Sequence, residues 1–135
     1  MKSPIDPQAI LDILAVAITG DEEQAHNDLA DIIATIPEHQ LPATLGGIGT
    51  VFASITVTAV PLHVAVGFLQ SEARLAGRTT TANKTARDIL RAAVQHRPAA
   101  AYEAVKRAGP TAAGHAIRKL MLIAARAVRA TPEAN

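Results

Sequence analysis

The chain of 135 residues contains no cysteine and no tryptophan, and it has few aromatic side chains of any kind. The absence of cysteine excludes disulfides, thiolate nucleophiles and zinc sites with cysteine ligands, and it fits a cytoplasmic location. The aromatic residues are Phe52, Phe68 and Tyr102. The core must therefore be built mainly from alanine, leucine, isoleucine and valine, and each alanine buries only a small apolar area.

A second absence divides the chain into three parts by charge. Residues 39–71 contain no aspartate, glutamate, lysine or arginine. Residues 1–38 hold eight acidic residues and one basic residue, whereas residues 72–135 hold twelve basic and four acidic residues. The formal net charge of +1 conceals this separation. A basic half needs an anionic partner, which can be the chain's own acidic end, a second copy, a nucleic acid or a membrane surface.

The length predicts one domain, residues 1–135, and the start of the chain lacks the pattern of a secretory signal. A chain of this size buries about two-thirds of its unfolded surface on folding. Lys2 is followed by prolines and Asp6 rather than by an apolar run, and Asp12 interrupts the first apolar stretch. We therefore expect a single domain without a signal peptide.

Helix start and stop signals are clear in the acidic and basic parts. In the acidic part, 7–36, Asp6-Pro7 and Asp21 begin two helices, and Gly20 and Pro37 end them. In the basic part, 80–130, threonines 79–81 precede one helix, Pro98 begins a short one, and Gly109-Pro110 separates it from a last helix. Apolar residues recur every three to four positions in these segments, as amphipathic helices require.

The uncharged middle of the chain is open to three interpretations. A break at Pro61 divides residues 41–76 into two apolar helices, which we expect to form a buried central hairpin. Residues 54–60 also alternate between polar and apolar, which indicates a short β-hairpin. Residues 45–69 are apolar enough for a membrane span, with the small residues Gly46, Thr50, Ser54 and Thr58 at the spacing of packed membrane helices.

The favoured prediction is an all-α fold, a single-domain bundle of about five to six helices with the buried central hairpin. The acidic helices occupy 7–36, the hairpin 41–76 and the basic helices 80–130. We know of no family whose motifs the sequence resembles.

No motif points to catalysis or to a cofactor. Glu23-x-x-His26 has the spacing used in di-iron bundles, but the second copy that such a site needs is missing. His63 lies in an apolar run and is expected to be a partly buried, hydrogen-bonded core residue. Gly46-Gly47-Ile48-Gly49-Thr50 lacks the lysine and the spacing of a phosphate-binding loop. We therefore expect no enzyme activity, no metal and no small-molecule substrate.

The expected function is non-catalytic binding or regulation, in which complementary charged helix faces dock a protein partner or a second copy. The predicted basic face consists of Arg87, Arg91, Arg118, Lys119, Arg126 and Arg129. The predicted acidic face consists of Asp21, Glu22, Glu23, Asp28 and Asp31.

Two alternatives remain open for the basic and the uncharged parts. The helices around Gly109-Pro110-Thr111 resemble a helix-turn-helix, which favours a DNA- or RNA-binding regulator. The residues that open the second helix, Ala112 to Gly114, cannot hydrogen-bond base edges, so the later basic residues would contact phosphates. The other alternative is membrane association through residues 45–69.

Overall fold

The computed structural model describes residues 7–75 and 81–130, and every regular element in these two ranges is helical. The α-helices are α1 (Pro7–Ile18), α2 (Glu22–Ala34), α3 (Leu41–Ala59), α4 (Leu62–Leu75), α5 (Thr81–Val94), α6 (Pro98–Ala108) and α7 (Pro110–Arg129). A single 3₁₀ turn, Glu38–Gln40, precedes α3. The all-α prediction is confirmed.

The number of helices differs from the prediction of five to six. The described ranges contain seven α-helices, because every proline or glycine break in them separates two elements. Those breaks lie at Gly20, Pro37, Pro61, Pro98 and Gly109. Residues 54–59 belong to α3, so the strand alternative for this segment is wrong.

Local signals account for the helix ends. The Asp21 carboxylate accepts a hydrogen bond of 3.2 Å from the backbone N–H of Gln24, which caps α2 as predicted. Gly20 and Gly109 adopt φ values of +105° and +88°, in the left-handed region that favours glycine. The predicted caps Asp6, Thr79 and Thr80 lie outside the described residues.

The centre of the molecule is α7, which packs against all six of the other α-helices. Nine of its residues are buried, among them Ile117, Leu120 and Met121. Its main neighbour is α3, which contributes the fully buried Leu45 and Phe52 and also packs against α5 and α6. The core is therefore an alanine-rich assembly around two long helices.

Small residues bring α3 close to its neighbours over only part of its length. A Cβ atom added to Gly49 would lie 2.6 Å from Cδ1 of Ile117, and one added to Gly46 would lie 3.4 Å from Cα of Tyr102. The backbone of α3 thus approaches α6 and α7 closely at these two positions. Ser54 and Thr58, from the predicted stripe of small residues, are exposed instead.

The buried central hairpin is not confirmed. Helix α4 packs mainly against α5 and α7 and makes few direct contacts with α3. One side of α3 is exposed, at Val51 among other positions. His63 is exposed on α4, opposite the buried Ala65 and Leu69, so it is not the core residue that its apolar neighbours in the sequence indicated.

One helical segment among the described residues, Glu38–Ala59, is long and apolar enough to cross a membrane. This finding concerns length and composition alone, and apolar core helices meet the same criterion. In this fold α3 packs on α5, α6 and α7, and 39% of its apolar window is buried inside the protein.

Candidate functional site

The predicted acidic face lies on α2, and part of it is occupied by contacts within the chain. Glu22 accepts a hydrogen bond from the Arg129 guanidinium at 2.9 Å, which forms an ion pair between α2 and α7. Asp21 caps its own helix, and Asp28 accepts a bond of 2.7 Å from the Gln24 amide. Glu23 and Asp31 are exposed.

The predicted basic face comes from two helices, and only Arg91 and Arg129 among its six residues are exposed. Arg118, Lys119, Arg126 and Arg129 lie on α7, whereas Arg87 and Arg91 lie on α5. Arg129 pairs with Glu22, and the guanidinium of Arg126 lies 5.7 Å from the ring centroid of Phe68 on α4. The charges of the two ends of the chain therefore meet partly inside the fold.

The exposed basic side chains define a different surface. Among the side chains that the structure describes, those of residues 8–71 and 81–130, six lysine and arginine side chains are exposed, and only Arg129 among them belongs to α7. We call the other five the α5–α6 basic surface: Lys84, Arg91, Arg97, Lys106 and Arg107.

This surface comes from two helices that pack against each other and from the turn between them. It also contains exposed Tyr102, whose ring lies 5.2 Å from the Lys106 ammonium, and exposed Val94. Only Arg91 belongs to the face predicted from the sequence. The sequence signal for the remaining basic residues is their position on the polar faces of the amphipathic helices α5 and α6, where side chains are expected to be exposed.

A second feature is a cationic cluster between α2 and α7. The Arg118 guanidinium donates a hydrogen bond of 2.7 Å to Nε2 of His26, a residue 92 positions earlier in the chain. Its other terminal nitrogen donates to Nδ1 of His115, one turn away on α7. Lys119 directly follows Arg118 on α7 and is half-buried. The fold thus assembles two imidazoles, a guanidinium and an ammonium.

This cluster lines a cavity of about 800 Å³, which we call the α2–α7 cleft. Its walls come from α2, the start of α5, the α6–α7 turn and one side of α7. The lining residues are His26, Thr81, Ala82, Ala108, Gly109, Pro110, Thr111, Ala112, His115, Arg118, Lys119 and Leu122. A smaller cavity of about 300 Å³ lies beside it and shares Pro110, Thr111, His115 and Arg118.

The start of α7 forms one end of the cleft. Gly109 precedes the helix and offers no capping side chain, and Pro110 has no backbone N–H. The first turn of a helix leaves its amide N–H groups without helical acceptors and carries a partial positive charge. The amides of Thr111 and Ala112 therefore add hydrogen-bond donors to the cationic end of the cleft.

Both histidines of the cleft have pKa values below the ordinary 6.5. Burial is the main cause for His26, with Arg118 and His115 adding to it and Glu23 opposing it. Burial also lowers the pKa of His115 most, and Arg118 and Lys119 lower it further. The two rings are therefore neutral near pH 7, as acceptors of Arg118 hydrogen bonds must be.

We expect the protein to lose stability as the pH falls below about 6.5 because of these two rings. Their folded-state pKa values lie below the unfolded values, so the unfolded chain takes up protons first. The stabilisation is complete above the unfolded pKa and is lost as the pH falls toward the folded pKa. Urea unfolding of the wild type and of H26Q/H115Q at neutral and mildly acidic pH measures this loss.

The double variant should show a smaller decrease than the wild type between the two pH values. H63Q is the matched control, because His63 is exposed on α4 and outside the cleft. An equal decrease in H26Q/H115Q and the wild type would contradict the assignment.

Neither a metal centre nor a free recognition helix is built from the described residues. These residues contain no group of three or more histidine and acidic side chains that could hold a metal ion. Of the Glu23-x-x-His26 motif, His26 contacts Arg118 instead. The predicted turn between α6 and α7 is present, but α7 packs against all six of the other α-helices, and its remaining side lines the α2–α7 cleft.

Comparison with protein families, curated proteins and solved structures found no match to this chain. The functional interpretation therefore depends on its own geometry, namely the α5–α6 basic surface and the α2–α7 cleft.

Proposed function

We propose that the chain is a non-catalytic binding or regulatory protein of the cytoplasm that docks an acidic protein surface through the α5–α6 basic surface. The acidic surface belongs to a second copy or to a partner protein. Within a homo-oligomer it is the exposed side of α2, which includes Glu23 and Asp31.

The observation that carries this proposal is the separation of exposed charge in the folded molecule. Among the side chains of residues 8–71 and 81–130, the exposed acidic residues lie on α1, α2 and the turns that follow them, with Glu103 as the exception: Asp12, Asp21, Glu23, Asp31 and Glu38. Helices α1 and α2 pack against each other and against α7, whereas the basic surface lies on α5 and α6. Two copies can therefore meet with opposite charges facing each other.

Such a contact is head-to-tail, because different surfaces of the two copies meet, and it produces a ring or an open chain. Exposed ion pairs contribute about 0.2–1 kcal/mol each, so a set of them gives weak, salt-sensitive association. Tyr102 adds an aromatic anchor of the kind that is enriched in protein interfaces.

Sedimentation velocity at low and high salt tests self-association. We expect oligomers at low salt, monomers at high salt, and weaker association in R91Q/R107Q at low salt. The matched control is Q70E/S71E, which changes the net charge equally but alters exposed residues on α4. Mixing R91E/R107E with E23R/D31R should restore an association that each variant lacks alone.

Poly-L-glutamate and duplex DNA, tested at low salt, distinguish a partner protein from the nucleic-acid alternative. Binding of poly-L-glutamate that R91Q/R107Q weakens supports docking of an acidic partner. If the chain binds DNA but neither self-associates nor binds poly-L-glutamate, the nucleic-acid alternative replaces the docking proposal. Monomers at low salt that bind neither probe would contradict both.

The nucleic-acid alternative is supported by the same basic surface but not by the geometry of α7. A recognition helix has to expose the flank that enters the major groove. Ala113 is buried and α7 packs against every other α-helix, so DNA contacts would come from α5 and α6 and would be phosphate contacts. The salt dependence of such binding is steep because counterions are released.

A further inference from the structure

We propose that the α2–α7 cleft is a binding site for a small organic phosphate, with the phosphate held by Arg118, Lys119 and the first turn of α7. An apolar substituent of the ligand lies against the alanine, proline and leucine side chains of the same cleft. This site is separate from the α5–α6 basic surface and goes beyond the docking function.

The size and the lining of the cleft fit a small molecule. Its volume of about 800 Å³ lies within the range of roughly 300–1,000 Å³ that is typical of ligand sites. The polar residues that line it are the imidazoles, the two cations and two threonines. The apolar residues that line it are Ala82, Ala108, Pro110, Ala112 and Leu122. A few convergent polar groups on a largely apolar wall are characteristic of such sites.

The charge of the cleft indicates an anion. None of the described residues that line the cleft or the smaller cavity is acidic. The hydrogen bonds of Arg118 to His26 and His115 go to neutral acceptors, so they leave its positive charge uncompensated. A partly buried guanidinium is normally paired with a carboxylate, because desolvation of an unpaired charge is costly. A bound anion supplies that missing charge.

The donor set favours a phosphate over a carboxylate. Arg118 and Lys119 supply two positive charges, which match a phosphate dianion, and the guanidinium has the planar fork that suits phosphate oxygens. The amides of Thr111 and Ala112 and the Thr111 hydroxyl add donors at the positive end of a helix of 20 residues. A carboxylate has two oxygens and one charge and leaves several of these donors unused.

The histidines position the guanidinium. Nε2 of His26 and Nδ1 of His115 accept hydrogen bonds from Arg118 and hold it at the wall of the cleft. Burial and the charge of Arg118 lower the pKa of both rings. Both rings are therefore neutral, and remain acceptors, at the slightly alkaline pH where an organic phosphate is a dianion.

Titration calorimetry with phenyl phosphate, inorganic phosphate and benzoate tests the assignment, at a pH slightly above neutral where the phosphate is already dianionic. We expect phenyl phosphate to bind more tightly than either of the other two probes. No binding of phenyl phosphate would overturn the site. Equal binding of benzoate would overturn the phosphate assignment, and equal binding of inorganic phosphate would overturn the apolar subsite.

Variants locate the binding site and separate it from the docking surface. R118Q/K119Q should weaken phenyl phosphate binding by about tenfold or more, because it removes two charged donors. R91Q/R107Q, which removes the same charge from the α5–α6 basic surface, should bind as the wild type does. A similar loss in both variants would overturn the location.

Single variants keep the test decisive if R118Q/K119Q fails to fold, since Arg118 also contacts two histidines. K119Q leaves those contacts intact and should still weaken binding severalfold. Unchanged binding in K119Q would overturn the proposed phosphate position. Salt-dependent self-association of K119Q should match that of the wild type. Loss of phosphate binding and loss of self-association can therefore be distinguished.

Discussion

Replacing Phe52 by alanine is expected to lower the free energy of unfolding by about 3–5 kcal/mol. Phe52 is fully buried in α3, the helix that packs most extensively against α7. The surrounding core is rich in alanine, whose side chains are too short to fill the space that a phenyl ring leaves. Since small proteins are stable by only about 5–15 kcal/mol, this loss is a large part of the total.

Urea unfolding followed by circular dichroism measures this effect, with V51A as the matched control. Val51 is adjacent to Phe52 on α3, but 36% of it is exposed, and its truncation removes far less buried apolar area. The loss in V51A should therefore stay below about 1 kcal/mol. Similar losses in the two variants would show that α3 does not face α7 in the way described.

Replacing Gly49 by leucine is expected to destabilise the protein by about 3 kcal/mol. A single Cβ at this position already lies 2.6 Å from Ile117 and 3.3 Å from Ile89, so a larger side chain must push α3 away from α5 and α7. Alanine at the same position should be milder, because both contacts are with Cδ1 atoms, which rotation about the isoleucine χ2 bonds can move away.

The matched control for Gly49 is Gly47, two residues earlier on the same helix. A Cβ at Gly47 meets nothing within 4 Å and would face solvent. G47L should therefore stabilise the protein by about 0.5–1 kcal/mol, because leucine forms helix better than glycine. Opposite signs for the two variants in parallel urea titrations confirm the packing, and a G49L protein as stable as G47L contradicts it.

Local interactions explain which parts of the fold could be predicted. The ends of the helices depend on neighbouring residues, such as the Asp21 cap and the glycines at positions 20 and 109, and these are readable in a linear sequence. The division of the middle segment at Pro61 into α3 and α4 follows in the same way. What α4 packs against is not local, and the expected hairpin with α3 is not confirmed.

The candidate sites, like the fold, combine features that the sequence predicts with contacts that depend on packing. The separation of charge along the chain predicts an acidic and a basic region, but it does not predict which charges meet. Arg118 and His26 are 92 residues apart, and nothing in either neighbourhood marks them as partners. The sequence therefore does not reveal the cleft between them, and its charge pattern places Arg118 on a basic face instead.

The sequence by itself determined that this protein is largely helical, which glycine and proline positions separate its described helices, and that its charge is divided between the two ends. These properties depend on side-chain periodicity and on hydrogen bonds over a few residues. Only the tertiary structure decided that Arg129 pairs with Glu22, that Arg118 lies between His26 and His115, and that α5 and α6 carry the free basic surface. Side chains distant in sequence come together only when packing places α2 and α4 against α7, and helix order alone does not specify that packing.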